Sequence, residues 1–165
     1  MMISQAQLKE VLEYNHDTGV FTWLKSNGNR RLKAGDVAGT KTKSGYIRIT
    51  IKGKMYQAHR LAYLYMTGKF PENFIDHINH IKDDNIWTNL RDATNSQNQA
   101  NRPKLNNNTS GYKGVCWDKE KKKWGAQIMY MNKLIYLGRY TTLQEAAEAY
   151  KKKSIELFGE FSYTQ

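Results

Sequence analysis

Apolar and polar positions alternate most cleanly between Tyr46 and Ile51, where Ile47, Ile49 and Ile51 would share one side of the chain and Tyr46, Arg48 and Thr50 the other. A period of two predicts a strand with one buried face. Lys52, Gly53 and Lys54 then turn the chain into Met55–Ala58, completing a hairpin. Elsewhere in the first half the period lengthens. Ser4 followed by Gln7 has capping-box spacing and predicts a small helix bearing Leu8, Val11 and Leu12. Asp17, Thr18 and Gly19 predict a turn into a strand at Val20–Trp23, and Ser26–Arg31 reads as a polar, basic loop. Leu61, Leu64 and Tyr65 recur at helical spacing within His59–Met66, and Gly68 is placed to end that helix before Pro71.

The second half changes rhythm after an interruption. Pro103–Ser110, with consecutive asparagines at Asn106–Asn108, has the composition of a linker and predicts a domain boundary. Beyond it, Gly111–Trp117, Trp124–Tyr130 and Lys133–Tyr140 read as three strands. Thr142 and Glu145 form another capping box, opening a helix whose Leu143, Ala146, Ala147 and Tyr150 share a face. A three-stranded antiparallel sheet packed on one helix is the simplest assembly of these elements.

Charge adds a partner to this picture. The chain has 165 residues with 26 Lys and Arg against 15 Asp and Glu, a net charge of +11. Residues 1–102 carry 15 basic and 9 acidic side chains, and residues 103–165 carry 11 and 6, so both parts are positive. A surplus of this size points to a polyanion. The single cysteine, Cys116, excludes an internal disulfide and any paired-cysteine zinc knuckle, and is expected as a buried or half-buried strand residue. No apolar run approaches the length of a membrane span and no signal-peptide pattern opens the chain, so no membrane partner and a cytoplasmic location are expected.

Candidate chemistry concentrates in Phe74–Asn101. Asp76 and His77 are neighbours at the end of a short apolar run, and on a strand adjacent side chains point to opposite faces. One could therefore hold a metal while the other addresses a water beside it. A polar loop from Asn79 to Asp84 follows, then a second short segment with Asn89, Leu90 and Arg91. Thr94 and Gln97 predict a helix from about Asn95 to before Pro103, with Asn98 in its first turn.

This run resembles the HNH nuclease motif of phage homing endonucleases, whose fold is two strands and a helix around one divalent ion. The resemblance implies Asp76 and Asn98 as metal ligands, His77 as general base and Asn89 as the residue that orients it. Asn98 stands where many members place histidine, an H-N-N variant whose amide favours Mg²⁺ or Mn²⁺ over zinc. His59 and Arg60 also recur in that family just upstream, but His59 is expected as a packed or hydrogen-bonded residue under the hairpin. His80 occupies a loop position where related sequences often have glycine.

A second resemblance covers most of residues 110–161. Ser110–Val115, Trp124–Ala126, Tyr136–Tyr140 and the alanines near Glu145 look like the plant ethylene-response-factor (APETALA-type) DNA-binding domain. That family lays its sheet in the major groove. Here Cys116, Met129 and Leu134 replace family arginines, so the plant target is not inherited. Gln127, Tyr136 and Arg139 remain as expected base readers, with Lys113, Lys121, Lys122, Lys123 and Arg91 as further DNA contacts.

The expectation is thus an α+β chain: an HNH (ββα-metal) nuclease domain at 1–102 with a small hairpin-and-helix scaffold, a linker at 103–110, and an APETALA-like domain at 111–165. It is expected to be a monomer that hydrolyses phosphodiester bonds in double-stranded DNA with one divalent cation, Mg²⁺ or Mn²⁺ and no zinc. A chain ending at Arg102 is expected to keep cutting, with weaker affinity and relaxed site choice. The alternatives are a DNA-binding regulator without catalysis and an RNA-binding protein.

Overall fold

The computed structural model describes residues 2–25, 32–104 and 108–163. The basic loop expected at Ser26–Arg31 and residues 105–107 of the expected linker lie outside them. The chain is mixed α/β, with four α-helices and several small sheets among the described residues, and divides into two compact units, Met1–Asp92 and Ala93–Gln165.

In the N-terminal unit, α1 (Gln5–Lys9) starts at the Ser4–Gln7 capping box, which forms in both directions. Five residues cannot sustain a helix in water. Burial of Leu8, worth about 2 kcal/mol, holds it to the core. The helix stops short of Val11 and Leu12, which the sequence pattern had included. Leu12 instead opens β1 (Leu12–Asn15), paired antiparallel with β2 (Val20–Trp23) so that Leu12, Tyr14, Phe21 and Trp23 face inward together. That cross-strand burial outweighs one more turn of helix. β3 (Thr40–Lys41), β4 (Ile47–Ile51) and β5 (Lys54–Gln57) form a second antiparallel sheet, with Ile49 and Ile51 buried and Arg48 and Thr50 exposed as the alternation requires. α2 (Ala58–Thr67) buries Ala58, His59, Leu61, Ala62 and Leu64, and ends at Gly68 in the left-handed conformation. β6 (Phe74–His77) and β7 (Leu90–Ala93) form a two-stranded sheet, with a 3-10 turn at Trp87–Asn89 between them.

The C-terminal unit opens with the last residue of β7 and α3 (Asn95–Asn101), ahead of the linker read from composition. The physical reason is packing: Ala93 and Ala100 are buried in one cluster with Val115, Ala126, Ile128, Ala146, Tyr150 and Phe158. β8 (Val115–Asp118), β9 (Lys123–Tyr130) and β10 (Lys133–Tyr140) form an antiparallel sheet with β9 central, and α4 (Leu143–Phe158) packs on it. Gly114, at φ +70°, lets the chain enter β8 against the core. A Cβ there would lie 2.2 Å from Tyr150 Cε2 and 2.4 Å from the Gln127 carbonyl oxygen. Cys116 is exposed, correcting the sequence expectation, because Val115 takes the inward position of β8 and alternation turns Cys116 outward.

Candidate active site

Asp76 and His77, at the end of β6, are both buried, with 6% of each exposed. A buried carboxylate costs several kcal/mol unless a cation meets it. Arg91 on β7 does so: its Nε donates to Asp76 Oδ2 at 3.0 Å, and its own side chain is only 13% exposed. Arg91 was expected at DNA. In the structure its Nε is engaged by Asp76, the buried charge beside it.

His77 packs among rings. Its centroid is 5.1 Å from that of His59, edge to face, and 6.0 Å from that of Tyr46, which also lies 5.3 Å from His59. Its Nε2 stands 3.4 Å from Asn85 Oδ1 while Asn85 Nδ2 donates to the Asp83 carbonyl, which orients the amide with its oxygen toward the imidazole. Burial pushes the His77 pKa below its ordinary value, against the opposing pull of Asn85, Asp76, Asp84 and Asp83. A histidine so placed is neutral at pH 7. His59 is pushed down further, to about 3, by burial and then by its neighbours His77 and Arg60. It is packed as expected, but its buried Nδ1 has no hydrogen-bond partner among the described residues.

The loop between β6 and β7 is tied by amides. Asn89 Oδ1 accepts from the Asn79 N–H at 3.0 Å and its Nδ2 donates to the Asp84 carbonyl at 2.8 Å, while Asn79 Nδ2 donates to Asp84 Oδ2 at 2.6 Å. Asn89 was expected to orient the histidine. Its side chain spans the loop, and an amide that lies against the imidazole is that of Asn85, which sequence reasoning missed. An asparagine after two aspartates in a polar loop carries no periodic or spacing signal, and its importance shows only in its burial, at 3% exposed. Tyr14 on β1 donates to the Asn85 carbonyl at 2.6 Å, and the Trp87 N–H donates to the His16 carbonyl at 3.0 Å. Gly19, at φ +71°, lies directly under the same segment: a Cβ there would be 2.4 Å from both the Asn85 carbonyl carbon and the Ile86 nitrogen. His80 is half-buried at φ +64°, the conformation that glycine takes most readily.

Asn98 is half-buried on α3, so the two residues the HNH resemblance assigns to a cation belong to different compact units, Asp76 to the first and Asn98 to the second. No group of three His, Cys, Asp or Glu side chains gathers among the described residues. One buried carboxylate and one amide oxygen are hard donors. Donors of this kind suit a hard cation such as Mg²⁺, which takes one or two carboxylates and fills its other positions with water and phosphate oxygen.

In the C-terminal unit, Gln127 is the register partner of Tyr136 and Gly125 that of Arg139, so Gln127, Tyr136 and Arg139 share the exposed face of the sheet with Met129 and Leu134. Arg139 lies over the Tyr136 ring at 5.5 Å and its Nε donates to Asp118 Oδ2 at 2.8 Å, which fixes the guanidinium on that face. Lys121, Lys122 and Lys123 are exposed at the β8–β9 turn, Lys121 pairing with Glu120 at 2.8 Å. Lys113 is not with them. Its Nζ donates to the carbonyls of Gln99, Ala100 and Arg102 at 2.9, 2.6 and 2.8 Å, so the phosphate contact expected from the sequence is a helix cap.

Three relatives resemble the chain. It is 37% identical over 122 residues to an uncharacterized HNH endonuclease, L560, of Acanthamoeba polyphaga mimivirus, covering 73% of this chain and 62% of that protein. It is 31% identical over 96 residues to Protein 3.8 of Escherichia phage T7, 58% of this chain and 78% of the relative. Against the DNA endonuclease I-HmuI of Bacillus phage SP01 it is 40% identical over 72 residues, 39% of this chain and 41% of the relative. The chain thus spans less than two thirds of the mimivirus and SP01 proteins. The HNH endonuclease family pattern matches residues 56–100, a segment that takes in His59, the Asp76–His77 pair, the loop with Asn85 and Asn89, and Asn98 on α3. The buried histidine pair and the amide-braced loop therefore fall inside the matched segment, and residues 56–100 match the HNH endonuclease family.

Proposed function

We propose that this chain is a homing-type HNH endonuclease that hydrolyses one phosphodiester bond in double-stranded DNA with the help of a divalent cation, Mg²⁺ or Mn²⁺. The observation that carries this reading is the adjacency of buried Asp76 and buried His77 on β6, with His77 held neutral by its surroundings. A neutral imidazole can accept a proton. With Nε2–H directed at Asn85 Oδ1, Nδ1 carries the lone pair. It takes a proton from water as the water oxygen bonds to phosphorus, and the bond to the leaving oxygen breaks with its electron pair going to that oxygen. General-base assistance of this kind contributes ~10²–10⁴-fold. Asp76 and Asn98 would hold the cation, which when bound supplies positive charge to the phosphate and the leaving oxygen.

The C-terminal unit is proposed to aid recognition. Its sheet resembles the APETALA-type domain in sequence, and Gln127, Tyr136 and Arg139 lie together on its exposed face with Lys121–Lys123 at one end. Residues 103–165 carry 11 basic and 6 acidic side chains, which suits a phosphate backbone. A tethered binder raises affinity through effective concentration.

The test is cleavage of target-bearing plasmid by the wild type, Asp76→Ala and His77→Ala, with Mg²⁺ and with chelator. Cation-dependent cutting, lost in Asp76→Ala and slowed about 10²-fold or more in His77→Ala with DNA binding retained, is the expected result. Cutting by Asp76→Ala at the wild-type rate overturns the site. Binding without any cutting supports a non-catalytic regulator, and preference for RNA supports an RNA-binding protein.

A further inference from the structure

The helix that carries Asn98 is too short to stand alone. α3 has seven residues, and a helix of that length is unstable in water without tertiary contacts. Contacts from its own compact unit hold it along its length. At its start, Ser96 Oγ accepts from the Met131 N–H in the β9–β10 turn at 3.4 Å. In its middle, Ala100 is buried in the cluster around Ile128 and Tyr150. At its end, where helix carbonyls lack intrahelical partners, one ammonium takes three of them, since Lys113 Nζ donates to Gln99, Ala100 and Arg102. A cation there also meets the negative end of the helix dipole.

Nothing in the general-base chemistry uses Lys113, yet its position is strictly built. Gly114, next in sequence, is pressed against Tyr150 and the Gln127 carbonyl, so the backbone that aims Lys113 is fixed by the core of the sheet. Burial, with the nearby Arg102 charge, pushes the Lys113 pKa down to about 8, so the ammonium with its three donors is still the main form at pH 7.

We infer that Lys113 is a positioning residue for cleavage: by clamping the C-terminal end of α3 to the sheet unit, it makes the recognition unit the carrier of the cation-binding residue Asn98. This rests on the reading of Asn98 as a ligand. One consequence reverses the expectation for a chain ending at Arg102. Such a fragment keeps every residue of the motif but loses the clamp, the Met131 contact and the core under Ala100.

The test uses the full chain. Under rising denaturant, hydrogen exchange of the wild type should show the α3 amides opening together with Ala126 and Ile128 of β9 and apart from Ile49 and Ile51 of β4. Lys113→Met should lower α3 protection about tenfold or more, as expected for loss of hydrogen bonds to a charged donor, and weaken Mn²⁺ binding measured by calorimetry. It should lower kcat with KM for DNA unchanged, and Lys113→Arg should restore part of each loss. Wild-type exchange and Mn²⁺ affinity in Lys113→Met overturn the inference, as does α3 opening with β4. If Lys113→Met unfolds the whole sheet unit, the wild-type exchange pattern decides alone. Asn98→Ala separates the two readings: unchanged Mn²⁺ binding removes Asn98 as a ligand, while the exchange data still report the clamp.

Discussion

Arg91 Nε and Asp76 Oδ2 lie 3.0 Å apart in a pair that is almost wholly withdrawn from water. Without a bound cation, the guanidinium is the positive charge that lets Asp76 remain a buried carboxylate. Arg91→Met should therefore destabilise the cation-free N-terminal unit by about 3 kcal/mol, the cost of removing one partner of a buried ion pair. A divalent cation at Asp76 would supply the missing charge, so Mg²⁺ or Mn²⁺ should raise the melting temperature of Arg91→Met more than that of the wild type. Equal cation-induced shifts in both would mean that no cation reaches Asp76.

His59 gives the N-terminal unit a defined sensitivity to acid. Its pKa is about 3 in the folded chain and near 6.5 when unfolded. Between those values the unfolded state binds a proton that the folded state refuses, so its contribution to stability is complete above pH 6.5 and is lost as pH falls toward 3. From pH 6.5 to pH 5 the loss from this one group is about 2 kcal/mol. His59→Phe removes both the titration and the unpartnered Nδ1. Its denaturant midpoint should fall less between pH 7 and pH 5 than that of the wild type. The same fall in both proteins would show that His59 is not the group that titrates.

The sequence made local starts and alternation legible, and it failed where distant residues decide. Ser4–Gln7, Thr94–Gln97 and Thr142–Glu145 all form two-way capping boxes, because the bonds involved lie within four residues. Ile47–Ile51 alternates as read, because burial follows period two. Val11 and Leu12 fit a helical stripe as well as a strand, and only pairing with Val20–Trp23 chooses between them. In the site, Asp76 and His77 were readable as neighbours. The roles of Asn85, Asn89, Arg91 and Lys113 were not, because each depends on which buried group lies nearest: an imidazole, a loop carbonyl, a carboxylate or a helix end.

Gly19 belongs to a different part of the chain from the chemistry but touches the loop that orients His77. A methyl group at Gly19 meets backbone atoms of Asn85 and Ile86 at 2.4 Å, and neither can move without moving the Asn85 amide. Its φ of +71° adds about 1–2 kcal/mol of strain for any L side chain. Gly19→Ala should thus lower kcat about tenfold or more at temperatures where the chain is still folded, with DNA affinity intact. Wild-type kcat in a folded Gly19→Ala chain would sever the hairpin from the site.

If the C-terminal sheet reads DNA as proposed, its contacts separate into two kinds. Lys122 is exposed in the turn, and its loss should weaken all DNA sequences alike and flatten the slope of log K against log salt by about 0.9. Gln127 projects from the centre of the exposed face, and Gln127→Ala should relax preference at one base pair by roughly 1–3 kcal/mol with the slope unchanged. Competition binding at several salt concentrations distinguishes the two, and an unchanged slope and unchanged preference in both variants would remove this sheet from the DNA.

The product follows from the number of sites. The chain has one Asp76–His77 pair and no internal repeat of the motif, so one protomer can attack one phosphodiester at a time. The opposite strand runs with reversed polarity, and cutting it requires a second site or a large reorientation. The two compact units also differ in sequence and topology, so a single chain has no internal two-fold axis to match a palindrome. An asymmetric target and a nick in one strand are therefore expected from a monomer. Supercoiled plasmid bearing the target should convert to open circle and remain there at early times, at a rate proportional to protein concentration. Direct conversion to linear plasmid, rising with the square of protein concentration, would instead mean that two copies set their active sites across the duplex.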